Sequence, residues 1–176
     1  LSIMAGRTLA GLATALPGAT LVRAMPNTPA AIGQGMSVAC AGPGVSDAGR
    51  SLCDTLLGAV GEVAWVEDEA LLDAVTAVSG SGPAYVFLLA ELLEQAGTEQ
   101  GLPPDLARRL ARATLFGAGA LLAATEEDAA ALRQAVTSPG GTTQAALTVL
   151  MTENAWPVLV SKAVAAAANR SRELAG

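Results

Sequence analysis

The sequence contains no histidine in 176 residues. This excludes Ser-His-Asp and Cys-His nucleophilic chemistry and the usual zinc sites, so no metal centre is expected. Lysine and tyrosine occur once each, as Lys162 and Tyr85. Aromatic residues make up 3% and charged residues 15% of the chain, little charge for a soluble monomer. Basic runs are missing: only Arg108, Arg109 and Arg112 cluster, and the net charge is −6. Nucleic acid is therefore not an expected partner. No uninterrupted apolar run reaches the ~18 residues of a membrane span, so no membrane partner is expected either. The two cysteines, Cys40 and Cys53, lack CxxC spacing and read as small buried thiols. Neither a G-x-G-x-x-G fingerprint nor a Walker A motif occurs. The opening, LSIMAGRTLAGL, lacks a basic n-region and starts on Leu1, which reads as a chain beginning inside a domain and not as a signal peptide. Catalysis, if any, falls to hydroxyls, carboxylates, backbone amides or a cofactor.

Apolar residues make up 52% of the chain, enough for a sizeable core. Up to residue 66, helical and strand patterns alternate. RTLAGLATAL is helical and stops at Pro17-Gly18; TLVRAM starts as a strand and breaks at two prolines. GMSVACAG and EVAWV read as buried strands, and SDAGRSLCDTLLGAV as a helix capped by Ser46-Asp47. This order predicts a parallel or mixed sheet covered by helices. From Glu67 onward the patterns are helical: EDEALLDAVTAVSGSG, GPAYVFLLAELLEQAGTEQG, PPDLARRLARATLFGAGALLAAT, EEDAAALRQAV, TTQAALTVLMTEN and AWPVLVSKAVAAAANRSRELAG. Several are apolar on more than one face, which requires burial. Six such helices cannot cover one another in a single chain, so an intertwined oligomer is expected. Gly117, Gly119 and the run from Ala165 to Ala168 read as close helix contacts without chemistry.

Three loops rich in glycine, proline and hydroxyl groups stand out. MPNTP (Met25 to Pro29) reads either as a rigid connector or as a site contributing the Asn27 amide. SGSGPAY (Ser79 to Tyr85) reads either as a helix break or as part of a site; it follows a helix, and its Pro and Tyr spoil a phosphate fingerprint. TSPGGTT (Thr137 to Thr143) opens a helix, where backbone N–H groups and hydroxyls can hold an anion. A plain helix-helix turn needs fewer glycines than this.

In the order VRAMPNTPAAIGQG, DAVTAVSGSGPAYVF, LRQAVTSPGGTTQAAL, AVAAAANRSREL, the chain resembles pyrroline-5-carboxylate reductase from end to end. The resemblance implies a mainly α chain: residues 1–66 would be the C-terminal part of an NAD(P)-binding Rossmann domain. Residues 67–176 would be an all-helical dimerisation and substrate-binding domain, like the C-terminal domain of 6-phosphogluconate dehydrogenase. It implies reduction of 1-pyrroline-5-carboxylate to L-proline, the last step of proline biosynthesis, with NADPH or NADH. It further implies a cytoplasmic homodimer that can assemble to a higher oligomer such as a decamer.

Carried across residue by residue, the resemblance puts Ile3, Met4 and Ala5 at a strand end touching the cofactor, Asn27 near the nicotinamide ribose, and Glu69 on the cofactor side. Ser81, Ser138, Gly140, Gly141, Thr142 and Thr143 would hold the substrate, and Glu126 would face the site from a neighbouring subunit. Thr143 would act catalytically through a hydrogen bond to the ring nitrogen, and the N–H groups of Gly140, Gly141 and Thr142 would bind the carboxylate. Ala135 departs from relatives that carry an amide there, unless Gln134 substitutes. The family's opening strand and pyrophosphate-binding turn are not among these residues, so the chain alone is expected to be inactive and to bind NADPH weakly. A non-catalytic dimerisation module and a related imine or β-hydroxyacid reductase are the alternatives. The latter typically uses a lysine on a central helix, whereas Lys162 lies near the far end of this chain.

Overall fold

The computed structural model describes residues 1–175. Their contacts divide the chain into two compact units, Leu1–Pro83 with Lys162–Gly176, and Ala84–Ser161. The expected boundary at 66/67 thus falls inside the first unit.

The first unit is built on a mixed sheet of β1 (Val22–Met25), β2 (Gly35–Ala41) and β3 (Gly61–Val66). β1 pairs antiparallel with β2, and β2 parallel with β3. A parallel pair needs a crossover, here α2 (Asp47–Gly58), whose first turn is capped by the Ser46 hydroxyl accepting from Gly49 N. Alternate residues of the strands feed two cores. Val22, Ala24 and Ala39 pack with Cys53 and Leu57 of α2. On the other face, Met25, Val38 and Cys40 meet Leu72, with Leu9 of α1 (Leu9–Ala15) beside them. A sheet covered on both faces explains why all four residues of β1 are buried, Arg23 included. Gly35 and Gly61 pair at the start of the parallel ladder, and Gly61 has φ 147.

Cys40 and Cys53 are free and buried, as their spacing suggested. Burial pushes the Cys40 thiol above its ordinary value; Glu69, Glu67 and Asp68 push the same way, and Arg23 opposes them. An unfolded chain ionises this thiol at lower pH than the folded one does. The contribution of Cys40 to stability is therefore complete below the ordinary thiol value and is lost as pH rises through the folded one. In urea unfolding at about pH 8 and about pH 10, the wild type is expected to lose more stability than Cys40→Ala. Equal losses would show that the thiol ionises alike in both states.

After β3, α3 (Leu71–Val75) runs into a π-helical turn (Thr76–Gly80) and then α4 (Gly82–Glu99). The whole segment Leu71–Glu99 is long and apolar enough, by length and composition, to cross a membrane. Counting only uninterrupted apolar runs missed it, because Asp73, Pro83, Glu91 and Glu94, with Thr, Ser and Gly between them, interrupt the run. Helices α5 (Pro104–Ala123), α6 (Ala129–Ala135), α7 (Thr142–Leu150) and α8 (Trp156–Ala175) complete the chain. The part of α8 from Lys162 belongs to the first unit, where the Ser171 hydroxyl donates to Asp73 Oδ1 at 2.6 Å. This is the mainly α architecture that the sequence predicts, a small α/β portion followed by helices.

In the second unit, α4, α6 and α7 bury no residue fully, and α5 buries only Ala107 and Ala111. Phe87 is 65% and Phe116 80% exposed. Large apolar surface of this extent on one chain marks a face that another molecule covers.

Candidate functional site

In the second unit, the candidate residues lie on the turn between α6 and α7. Gly141 N donates to Ser138 O at 3.0 Å, and Gly140 has φ 72. Pro139 and Gly140 thus occupy the two central positions of a turn that favours proline first and requires a left-handed residue second. At Gly141 the space is tight: a Cβ there would lie 2.8 Å from Ser138 Oγ, which can turn away, and 3.1 Å from Ser138 O. Gly141 is also the N-cap of α7, in extended conformation and without a side-chain cap. The side chain of Gln144 folds back so that its Oε1 accepts from Gly140 N at 2.5 Å. A glutamine three residues after the N-cap, reaching back across it, follows capping-box logic.

Of the three amides assigned to the carboxylate, those of Gly140 and Gly141 donate within the turn. The amides of Thr142, Thr143 and Gln144 form the first turn of α7, where a helix has no carbonyl of its own for its N–H groups. The helix dipole adds a positive end at the same place. Thr142 is exposed and Thr143 half-buried. Glu126 lies exposed between α5 and α6, next to the turn in which Glu127 N donates to Thr125 Oγ1. Gln134 lies in the last turn of α6, and its carbonyl accepts from Thr137 N.

The first unit holds the other candidates. Ser2 forms a single parallel bridge with Arg23, so Ile3, Met4 and Ala5 follow a one-residue bridge and not a full strand. All three are exposed. Glu69 Oε1 accepts both from Arg23 NH1 and from Leu9 N, each at 2.8 Å. It therefore ties β1 to the start of α1 and offsets the charge of a guanidinium that is only 3% exposed. Arg23 went unnoticed in the sequence because one arginine in a short apolar run carries no signal of its partner. Asn27 Oδ1 accepts from Met36 N at 2.9 Å, and its Nδ2 donates to Ser79 Oγ at 3.2 Å and Ser79 O at 3.3 Å. Ser81 N donates to Thr76 O at 2.8 Å and closes the π-helical turn. MPNTP and SGSGPAY, distant in sequence, are thus joined through Asn27 and Ser79.

The profile of the pyrroline-5-carboxylate reductase dimerisation family matches residues 69–174. The pyrroline-5-carboxylate reductase of Pseudomonas aeruginosa is 48% identical over 155 residues, covering 88% of this chain and 56% of that protein. That of Synechocystis is 43% identical over 174 residues, covering 99% of this chain and 64% of that protein. A solved pyrroline-5-carboxylate reductase from Coxiella burnetii matches with a TM-score of 0.92 and 39% identity, covering 98% of this chain and 64% of its own. The Plasmodium falciparum pyrroline carboxylate reductase with NADP bound matches with a TM-score of 0.89 and 30% identity, over 99% of this chain and 66% of that one. The chain therefore spans a little over half to nearly two thirds of the length of these relatives.

Proposed function

We propose a function from one premise: the chain belongs to the pyrroline-5-carboxylate reductase dimerisation family. The whole protein that carries it reduces the C=N bond of 1-pyrroline-5-carboxylate to give L-proline, the last step of proline biosynthesis. The observation that carries this reading is the turn before α7, which leaves the Thr142, Thr143 and Gln144 amides facing outward from a helix start while Gln144 and Ser138 occupy the two glycine amides. Such a turn suits a small substrate with a single carboxylate. Ser138, Gly140 and Gly141 shape the turn, and Ser81 and Glu126 complete the substrate contacts in the assembled protein.

The Thr143 hydroxyl hydrogen-bonds the ring nitrogen. As the imine carbon gains a hydride, the C=N electron pair moves onto the nitrogen, which takes up a proton from solvent; a hydroxyl fixed to donate there favours the transition state. NADPH or NADH supplies the hydride when bound. The exposed apolar side chains of Ile3 and Met4 suit the flat face of such a dinucleotide, with Ala5 beside them. Asn27 and Glu69, already hydrogen-bonded within the protein, shape that edge. The uncovered apolar faces, Phe87 and Phe116 above all, suit a second copy of the chain. These faces support a homodimer that assembles further, for example to a decamer. The protein works in the cytoplasm.

The test is the full-length protein with 1-pyrroline-5-carboxylate and NADPH or NADH, read as cofactor oxidation and L-proline formed. Sedimentation of the same sample should show no folded monomer at micromolar concentration. Absence of turnover with both cofactors overturns the reductase reading and leaves an association module. A stable monomer overturns the assembly.

A further inference from the structure

We propose that Asn27 is a positioning residue: it locks the π-helical turn Thr76–Gly80 and so sets where Ser81 stands at the substrate site. The inference rests on the reductase reading for the role of Ser81, and on geometry alone for the lock.

Three local facts explain why this asparagine is free to act at a distance. Asn27 is the N-cap of a short 3-10 helix, Thr28–Ile32, a position where its side chain would ordinarily accept from the helix's own N–H groups. It makes no such bond. Pro29, in the first turn, has no N–H to offer. The carboxamide instead reaches the turn of another element.

The target has an orphaned acceptor. In a regular α-helix, Ser79 O would accept from residue 83, but residue 83 is proline. A proline ring also crowds the carbonyl four residues before it. The chain accommodates this by widening one turn, closed by Ser81 N to Thr76 O at 2.8 Å. The displaced Ser79 carbonyl then receives Asn27 Nδ2 at 3.3 Å, and the Ser79 hydroxyl receives the same nitrogen at 3.2 Å. The amide cannot be turned the other way, because Oδ1 must face the Met36 N–H, a donor. One side chain therefore fixes the register of the turn against the first residues of β2. Single π-helical turns are uncommon and recur at functional sites. Here Ser81 is the next residue after the turn.

The test compares Asn27→Ala, Asn27→Asp and Ser79→Ala in the full-length protein. Asn27→Asp keeps the acceptor for Met36 N and loses the donor to the Ser79 carbonyl, while the Ser79 hydroxyl can turn to donate to the new carboxylate. Ser79→Ala keeps the carbonyl bond and loses only the hydroxyl. Amide hydrogen exchange reads the lock directly. Protection of the Ser81 amide should fall about tenfold or more in Asn27→Asp and Asn27→Ala, and stay within about threefold of wild type in Ser79→Ala. In turnover, Asn27→Asp should raise KM for 1-pyrroline-5-carboxylate about tenfold, while Ser79→Ala stays within about twofold of wild type. A rise in KM for NADPH with the imine KM unchanged would make Asn27 a direct cofactor contact and overturn the proposal. So would unchanged Ser81 protection in the aspartate variant. If Asn27→Ala does not fold, the aspartate variant alone decides. If the wild type lacks reductase activity, the reductase reading fails while the exchange measurement still decides the lock.

Discussion

Thr143→Val should lower kcat/KM for 1-pyrroline-5-carboxylate by about 10- to 100-fold in the full-length enzyme, with folding intact. The substitution keeps the branched shape at a half-buried position in the first turn of α7 and removes only the hydroxyl. A hydrogen bond to a group that becomes charged is worth about 1.5–3 kcal/mol. Each ~1.4 kcal/mol is a factor of ten in rate. The loss should fall on kcat more than on KM, because the bond strengthens as hydride addition moves electron density onto the ring nitrogen. Thr142→Val should do much less. Its backbone amide stays in the same helix turn, and its hydroxyl has no part in the proposed chemistry. Steady-state kinetics with circular dichroism as a folding control decide the matter. Wild-type kcat/KM in a folded Thr143→Val would leave the turn as a carboxylate-binding element only.

Gly61→Ala should be the most damaging single substitution in the first unit, at about 2–6 kcal/mol. Two effects add. Gly61 holds φ 147, a conformation that costs a residue with a Cβ about 1–3 kcal/mol. The new methyl group would also be driven into the backbone of Gly35, its partner in the parallel ladder. Overpacking of that kind typically costs about 1–3 kcal/mol. Gly35 has little room to withdraw: its N–H donates to Val60 O at 2.8 Å, and a Cβ on it would lie 2.9 Å from Ala30. Gly18→Ala supplies the control, since Gly18 also has positive φ (81) but open space around it. That variant should lose about 1 kcal/mol from backbone strain alone. Thermal and urea unfolding at one protein concentration measure both, because assembly makes apparent stability depend on concentration. Similar losses in the two variants would mean that the β2–β3 start can yield.

The helices of residues 67–176 were legible because their apolar spacing is strong and their ends carry proline, glycine or acidic signals. The TSPGGTT turn was legible for the same local reason: proline, glycine and hydroxyl residues have fixed uses at a helix start. Which of its amides stay open was not. That depends on the Gln144 side chain, a choice that becomes evident only once Gly141 is known to be the N-cap. The widened turn at Thr76–Gly80 was harder still. SGSGPAY reads as a helix break because Pro83 removes a donor, and the compensation comes from Asn27, 52 residues away. Arg23 illustrates the same limit. Its partner Glu69 lies 46 residues on, in an acidic run that reads locally as nothing more than a helix start. Local chemistry is readable one segment at a time, whereas bonds that tie segments together are set by the folded arrangement.

The bond from Ser171 to Asp73 has a consequence for how the protein is made. It spans 98 residues, and it closes a unit that the chain begins before the second unit and finishes after it. A ribosome delivers the N-terminal residues first. The sheet can pair and α2 can dock while synthesis continues, but the face that receives α8 must wait, uncovered, until the last helix emerges. The entropy of closing so long a span grows only with the logarithm of its length, so the finished structure bears it lightly. The delay is kinetic: contacts of high sequence separation slow folding. During that interval the nascent sheet unit exposes apolar surface, the kind of species that chaperones protect.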